Sequence, residues 1–164
     1  MIYVGCVLVV CLSGLVGNSL VKIFVLRDKF YKEILRFVQY LIVEIDFYQT
    51  KIHALFIKYI NENNTIFKTQ LNEIMQMIIE DKREEKKLDA KSFYFLKHDD
   101  KKSLETYFLQ IGNKGVDIEV SNLKRFEGWV KAKSKDVEVQ RKNNEGLIYK
   151  LSLAIGAVIC ILIV

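Results

Sequence analysis

The chain has 164 residues, of which 51% are hydrophobic and 27% are charged, with a formal net charge of +5 and no proline. This length allows one ordinary domain, or a smaller domain with membrane segments, and excludes a large multidomain enzyme. All the charges lie in the middle, because neither residues 1–21 nor residues 151–164 contain Lys, Arg, Asp or Glu. That distribution is typical of a charged domain held to a bilayer at both ends, and the absence of proline favours long helices.

The two apolar ends differ in length. As a helix, residues 2–21 would rise about 30 Å, which is one bilayer core. A cleaved signal peptide is the alternative, but the segment begins without the basic residues that signal peptides carry. Residues 151–164 would rise only about 21 Å, so the second span needs its flank as well. We therefore predict membrane helices at 1–21 and 147–164 around a domain at 22–146.

Basic residues on the inner flanks set the predicted orientation. They resist translocation, and the outer sides of both apolar segments carry none. The domain between the segments is therefore predicted to be cytoplasmic, with its flanking bases near lipid headgroups. The membrane-proximal bases are Lys22, Arg27, Lys29, Arg141, Lys142 and Lys150.

Each apolar segment also carries two small residues four positions apart. These are Ser13 with Gly17 in the first segment and Ser152 with Gly156 in the second. Four-residue spacing places both small groups on one helix face, which would allow two helix backbones to approach closely. Small residues are also common in membrane helices generally, so a packing role and a neutral one both stay open.

The first part of the middle reads as helix. Apolar residues recur at steps of three and four across residues 34–59, which predicts one long amphipathic helix ending at the polar residues 61–64. Thr65 can cap a following helix whose apolar face includes Phe67, Leu71, Ile74 and Ile78. The charged run at residues 80–87 is expected to be a solvated helix end.

The second part of the middle predicts shorter pieces. Asp89 or Ser92 can cap a short helix through Leu96, residues 98–102 read as a loop, and Ser103 opens a helix that Gly112 can end.

Residues 116–120 alternate between apolar and acidic side chains, as a strand does. No second strand of similar quality is available to pair with them, and apolar residues continue at helical steps to Val137. We therefore predict an all-α fold, with a cytoplasmic helical bundle between two membrane helices.

The sequence motifs that usually indicate a catalytic or metal-binding site are missing. The two histidines, His53 and His98, have no Cys or acidic residues at zinc-ligand spacing. Phosphate-binding, dinucleotide-binding and nucleophile-elbow motifs are absent from the sequence, and no CxxC motif occurs. We predict a non-enzymatic protein with no catalytic residues, no metal, no cofactor and no small-molecule substrate.

Aromatic and basic residues mix in residues 123–135. Phe126 and Trp129 lie among five bases, a pattern that can bind single-stranded nucleic acid. Phe126 also belongs to the predicted buried face of the helix, so we expect no nucleic acid and assign the bases to lipid phosphate. A membrane-tethered regulatory module that binds anionic lipid or nucleic acid through this basic helix is the alternative function.

The layout resembles the stage III sporulation protein AB family. The resemblance rests on the SGLVG anchor, the segment at residues 35–52, an Ile111-Gly112 pair and the apolar C-terminal run. In the second segment Glu44 falls on a position of the family pattern. Lys51 stands where the family has proline, so the helix break expected near Thr50 is in doubt, and Ser152 stands at a usual glycine.

The resemblance implies a platform component of the secretion-like channel between mother cell and forespore, with a domain similar to the type II secretion F domain. It implies the mother-cell membrane facing the forespore as the location. The implied partners are the ATPase stage III sporulation protein AA, other channel components in the membrane, and lipid.

Glu44 is the predicted partner-binding residue. It lies one step off the apolar stripe, between Leu41 and Ile45. A carboxylate in that position either pairs internally with a base or presents its charge at the rim of a groove.

Overall fold

The computed structural model describes residues 2–48, 52–63, 65–79, 87–111 and 115–163. Within these residues the chain is all α, as predicted, and the described segments form five helices. The helices are α1 Ile2–Tyr48, α2 Ile52–Glu62, α3 Lys68–Ile79, α4 His98–Leu109 and α5 Val116–Ile163. The predicted features at Thr50, Lys51, Gly112 and residues 80–86 lie outside the described residues.

The chain divides into two compact units. We call residues 2–29 and 135–163, which are parts of α1 and α5, the terminal helix pair. We call residues 30–134 the central unit. In the terminal helix pair the contacts run in opposite chain directions, from Ser13 with Gly156 to Asp28 with Arg141, so the two helical segments are antiparallel.

The core of the central unit is rich in aromatic rings. Phe30 is fully buried and makes edge-to-face contacts with Phe67, Phe93 and Phe95, at centroid distances of 5.2 to 5.8 Å. Such pairs add specific geometry to the burial of large apolar area. These contacts join α1 to the start of α3 and to the turns that precede α4.

The predicted long helix over residues 34–59 is wrong. The structure has α1 and α2 in its place. The Phe37 ring packs on the rings of Phe56 and Tyr59, at centroid distances of 4.5 and 4.9 Å. In one straight helix, residues about 20 positions apart would lie roughly 30 Å apart. The apolar stripe is therefore shared between two helices, α1 and α2, that pack against each other.

The predicted helix end at residues 61–64 and the predicted role of Thr65 before the next helix agree with the structure. The Asn63 side chain donates a 3.1 Å hydrogen bond to the Tyr59 carbonyl at the end of α2. Thr65 Oγ1 accepts a 3.1 Å bond from the Phe67 amide just before α3 begins. On α3 the buried face is Leu71, Ile74, Met77 and Ile78.

The predicted loop at residues 98–102 is wrong, because α4 begins at His98. Asp99 and Asp100 lie in its first turn, where acidic side chains are stabilised by the positive end of the helix dipole. Ser103 lies inside the helix and donates to the Asp99 carbonyl at 2.9 Å. The helix ends at Leu109, before Gly112.

The segment before α4 forms turns and not the predicted short helix. The Asp89 carboxylate does accept a 3.3 Å bond from the Ser92 amide, so it caps a turn. Carboxylates of neighbouring helices hold this segment, since Glu105 accepts from the Leu88 amide at 2.8 Å and Glu73 accepts from the Asp89 amide.

The helical interpretation of residues 116–120 is confirmed. The Glu119 amide donates to the Gly115 carbonyl at 3.0 Å, which is the first helical bond of α5. The predicted apolar face of α5 is buried from Val120 onward, through Leu123, Phe126, Val130, Ser134 and Val137. Val116, the first residue of α5, is exposed.

Candidate functional site

The four small residues of the apolar ends meet in the terminal helix pair. A Cβ atom placed on Gly17 would lie 2.9 Å from the Cβ of Ser152, and one placed on Gly156 would lie 3.2 Å from the Cβ of Ser13. Each glycine therefore makes room for the serine of the other helix. Gly14, one turn from Gly17, would meet nothing within 4 Å.

Both serine hydroxyls are satisfied within their own helices. Ser13 donates to the Val10 carbonyl at 2.8 Å and Ser152 donates to the Tyr149 carbonyl at 3.0 Å. Contact between the helices at these positions is therefore a matter of shape, which is the main source of helix association where the surrounding solvent is apolar.

Polar contacts continue the antiparallel register beyond the small residues. The Tyr149 hydroxyl donates to Asn18 Oδ1 at 3.2 Å. Farther along, the Arg141 guanidinium lies 3.2 Å from the Asp28 carboxylate, whose side chain is only 2% exposed. Asp28 was not among the predicted residues, although it is an isolated acid in the basic stretch that follows the first apolar segment.

The other predicted basic residues lie along the same two helical segments. Lys22, Lys29, Lys142 and Lys150 are exposed. Arg27 lies over the ring of Phe24, 5.7 Å from its centroid, and Lys142 pairs with Glu138 one turn earlier at 2.8 Å. The bases therefore lie on the side of each apolar segment that leads toward the middle of the chain.

Large apolar side chains cover the outside of the terminal helix pair. Both α1 and α5 are long and apolar enough to cross a membrane. Lipid is a suitable environment for this outer surface, because exposed leucines and isoleucines on it would be costly in water. The exposed members include Leu8, Leu12, Leu15, Leu20, Leu151, Leu153, Ile155 and Ile161.

Glu44 lies on α1 in the central unit and pairs with Lys58 of α2 at 2.9 Å. The hydrogen bond to Glu44 is the main cause that raises the pKa of the Lys58 ammonium above its ordinary value. This ammonium also lies 5.9 Å from the centroid of the Tyr40 ring. The structure therefore supplies the internal base that was one of the two predicted environments of Glu44.

The outer side of α1 near Glu44 presents apolar groups to solvent. Phe47 is 76% exposed and Val43 is 51% exposed. We call Val43, Glu44, Phe47 and Lys58 the α1–α2 rim. A charged pair beside an exposed ring has the composition of a protein-binding surface, in which aromatic side chains are enriched.

The rings among the bases of α5 are engaged inside the central unit. Phe126 is buried and stacks on Tyr107 at 4.6 Å, and Trp129 stacks on Phe126 at 5.8 Å. Lys133 pairs with the buried Asp100 of α4 at 2.7 Å. These groups hold α4 to α5, which leaves the rings poorly placed to stack on nucleic acid bases.

Within the described part of the chain, no three His, Cys, Asp or Glu residues are grouped so that they could hold a metal ion. His98 begins α4 and His53 belongs to α2.

Comparison with known proteins places the chain in one family. No curated protein and no solved structure matches it. The family model described as stage III sporulation protein AB matches residues 3–164, nearly the whole chain. The chain therefore belongs to the stage III sporulation protein AB family.

Proposed function

We propose that this protein is a non-enzymatic platform of the sporulation channel, anchored in the mother-cell membrane that faces the forespore. In this proposal the terminal helix pair crosses the membrane, and the central unit lies in the cytoplasm and docks the ATPase stage III sporulation protein AA. The observation that carries it is the family match over residues 3–164, which implies a sporulation role. Two apolar helices around a charged helical unit suit such an anchored platform.

The α1–α2 rim is the proposed docking surface for the ATPase. Phe47 has the most exposed ring of the central unit among the residues with large exposed apolar side chains, and Glu44 and Lys58 offer charge of both signs beside it. An aromatic anchor next to polar groups can provide both affinity and orientation. The proposal also includes a central unit similar to the type II secretion F domain, as the family resemblance implies.

The cellular test is deletion of the gene in its own host, with complementation and microscopy of sporulating cells. We expect sporulation to arrest after engulfment, with a forespore that fails to develop. Normal spores in the deletion strain would contradict the platform role.

The docking test is co-purification of the ATPase with the full-length protein in detergent. Phe47→Ala and Glu44→Ala should each weaken recovery of the ATPase, whereas Ile66→Ala, which truncates another exposed apolar residue of the central unit, should not. Because Lys58 is 48% exposed, Glu44→Ala should change the free energy of unfolding only slightly. If the rim variants bind like the unsubstituted protein, docking occurs elsewhere.

The exposed bases favour a second candidate, a membrane-tethered module that binds anionic lipid. Lys22 and Lys150 lie exposed at the inner flank, and α5 adds exposed bases at Lys124, Arg125 and Lys131. Binding of the full-length protein to vesicles with and without anionic lipid tests this candidate. A steep loss of binding with salt is expected for phosphate contacts, whereas a docked helical interface should weaken much less.

A further inference from the structure

We propose that the Asp28–Arg141 ion pair sets the axial register of the terminal helix pair. The small residues of the apolar segments then supply close packing in that register without choosing it.

The glycine–serine contact and the ion pair are separated by the same number of residues on both helices. From Gly17 to Asp28 is 11 residues along α1, and from Ser152 to Arg141 is 11 residues back along α5. Eleven residues are close to three helical turns, so the ion pair lies on the same faces as the glycine–serine contact. Both contacts therefore report one register.

Packing of small residues discriminates weakly against a slipped register. A slip of four residues in one direction brings Gly17 opposite Gly156, and in the other direction it brings Ser13 opposite Ser152. Each slip therefore keeps one small-on-small contact at which the backbones could still approach, against two in the observed register. The apolar side chains around them meet lipid in each register and add little preference.

The charged contact does discriminate. The first slip places Asp28 opposite Glu145, which sets two acidic groups against each other, and the second places it opposite the buried Val137. In the observed register the Asp28 side chain is 2% exposed and lies 3.2 Å from Arg141. A carboxylate this buried is strongly disfavoured unless it is paired, and fixing register is the best-attested use of a buried polar group.

Disulfide cross-linking of the full-length protein in membranes reads the register directly. With Cys6, Cys11 and Cys160 replaced by alanine, Val21→Cys is combined in turn with three partners. Ile148→Cys reports the observed register, because four residues separate Gly17 from Val21 and Ser152 from Ile148. Ser152→Cys reports the slip toward Glu145, and Asn144→Cys reports the opposite slip.

We expect the 21–148 cross-link to dominate in the otherwise unsubstituted chain. Asp28→Arg should move cross-linking toward the 21–152 pair, because the new cation is attracted to Glu145, and the ratio of 21–148 to 21–152 product should fall about tenfold. Asp28→Arg combined with Arg141→Asp should restore the 21–148 product. Asp136→Asn, which removes an exposed acid elsewhere in the terminal helix pair, should leave the ratio unchanged.

Two results would overturn the proposal. In one, Asp28→Asn and Asp28→Arg both leave the 21–148 product dominant, so contacts other than the ion pair choose the register. In the other, all three cross-links fall together in the Asp28 variants and the reversed pair does not restore them, so the ion pair stabilises the helices without selecting a register.

Discussion

The terminal helix pair and the central unit bury opposite kinds of side chain. In the helix pair the inner face holds glycine and serine, and large apolar residues such as Leu12 and Ile155 point outward. In the central unit Phe30 and Phe37 are fully buried and the outer surface is charged. The two interfaces therefore suit different solvents, water for the central unit and, for the helix pair, the lipid bilayer in which we propose that it lies. Water drives rings inward, whereas in lipid only close fit and polar contacts favour one helix over another.

The largest expected effect is the loss of a ring from the central unit. Phe37→Ala should destabilise it by about 3–5 kcal/mol, because Phe37 is fully buried against Phe56 and Tyr59. Denaturant unfolding of the detergent-solubilised protein, followed by the fluorescence of its single tryptophan, measures the change. Phe47→Ala on the same helix is the matched control and should stay within about 0.5 kcal/mol, since Phe47 is exposed. Similar losses in both variants would contradict the described core.

In the terminal helix pair, the substitution expected to cost most stability replaces a small residue with a larger one. Gly17→Val should destabilise the pair by about 1–3 kcal/mol, because its Cβ would meet Ser152. A lower yield of the 21–148 cross-link and a lower thermal stability of the pair in detergent would show it. Gly14→Val, in open space on the same helix, should have little effect. Equal behaviour of the two variants would mean that the glycine–serine contact is not made.

A charged contact of the central unit should give an intermediate loss. Lys133→Ala leaves the Asp100 carboxylate, whose side chain is 5% exposed, without its 2.7 Å partner. Because Lys133 is partly exposed, we expect about 1–2 kcal/mol, less than for a fully buried pair. Lys131→Ala, two residues earlier and exposed, should change unfolding by less than about 0.5 kcal/mol. The same unfolding experiment compares them, and equal values would place Asp100 outside the core.

The smallest expected effect is a change in the pH dependence of stability, caused by Asp89. A hydrogen bond from the Lys91 backbone amide is the main cause that lowers the pKa of Asp89 below its ordinary value of 3.8. A carboxylate with a lowered folded pKa stabilises the fold above its unfolded pKa, and this stabilisation is lost as pH falls through the lower folded value. Asp89→Asn should therefore be slightly less stable than the unsubstituted protein at neutral pH, with the difference shrinking below pH 3.8. A difference that does not change with pH would contradict the hydrogen bond.

The helices, the apolar ends and the small-residue pairs could be predicted because each depends on local periodicity or composition. The division of residues 34–59 into α1 and α2 could not, since apolar residues recur at helical steps throughout. Only contacts such as Phe37 with Phe56 show that two helices pack together. The start of α4 was missed for a related reason. A polar run such as residues 98–102 suits a loop and an acidic helix start equally well, and the contact of Asp100 with Lys133 lies far away in the chain.

For the candidate site, the sequence identified Glu44 but not Lys58 as its partner, because the two residues are joined only by the packing of α2 on α1. Asp28 was missed because a single acid among bases gives no periodic signal. Its importance depends on Arg141, more than 100 positions later in the chain.

The reciprocal fit of serine and glycine predicts coupled substitutions among homologues. In the family pattern that this chain resembles, glycine is usual at position 152, where this chain has serine. The extra atoms of that serine occupy the space left by Gly17. Positions 17 and 152 should therefore vary as a couple among relatives, and so should positions 13 and 156. A lineage that keeps glycine at 152 could accept a larger residue at 17, whereas one that acquires serine there would be held to glycine.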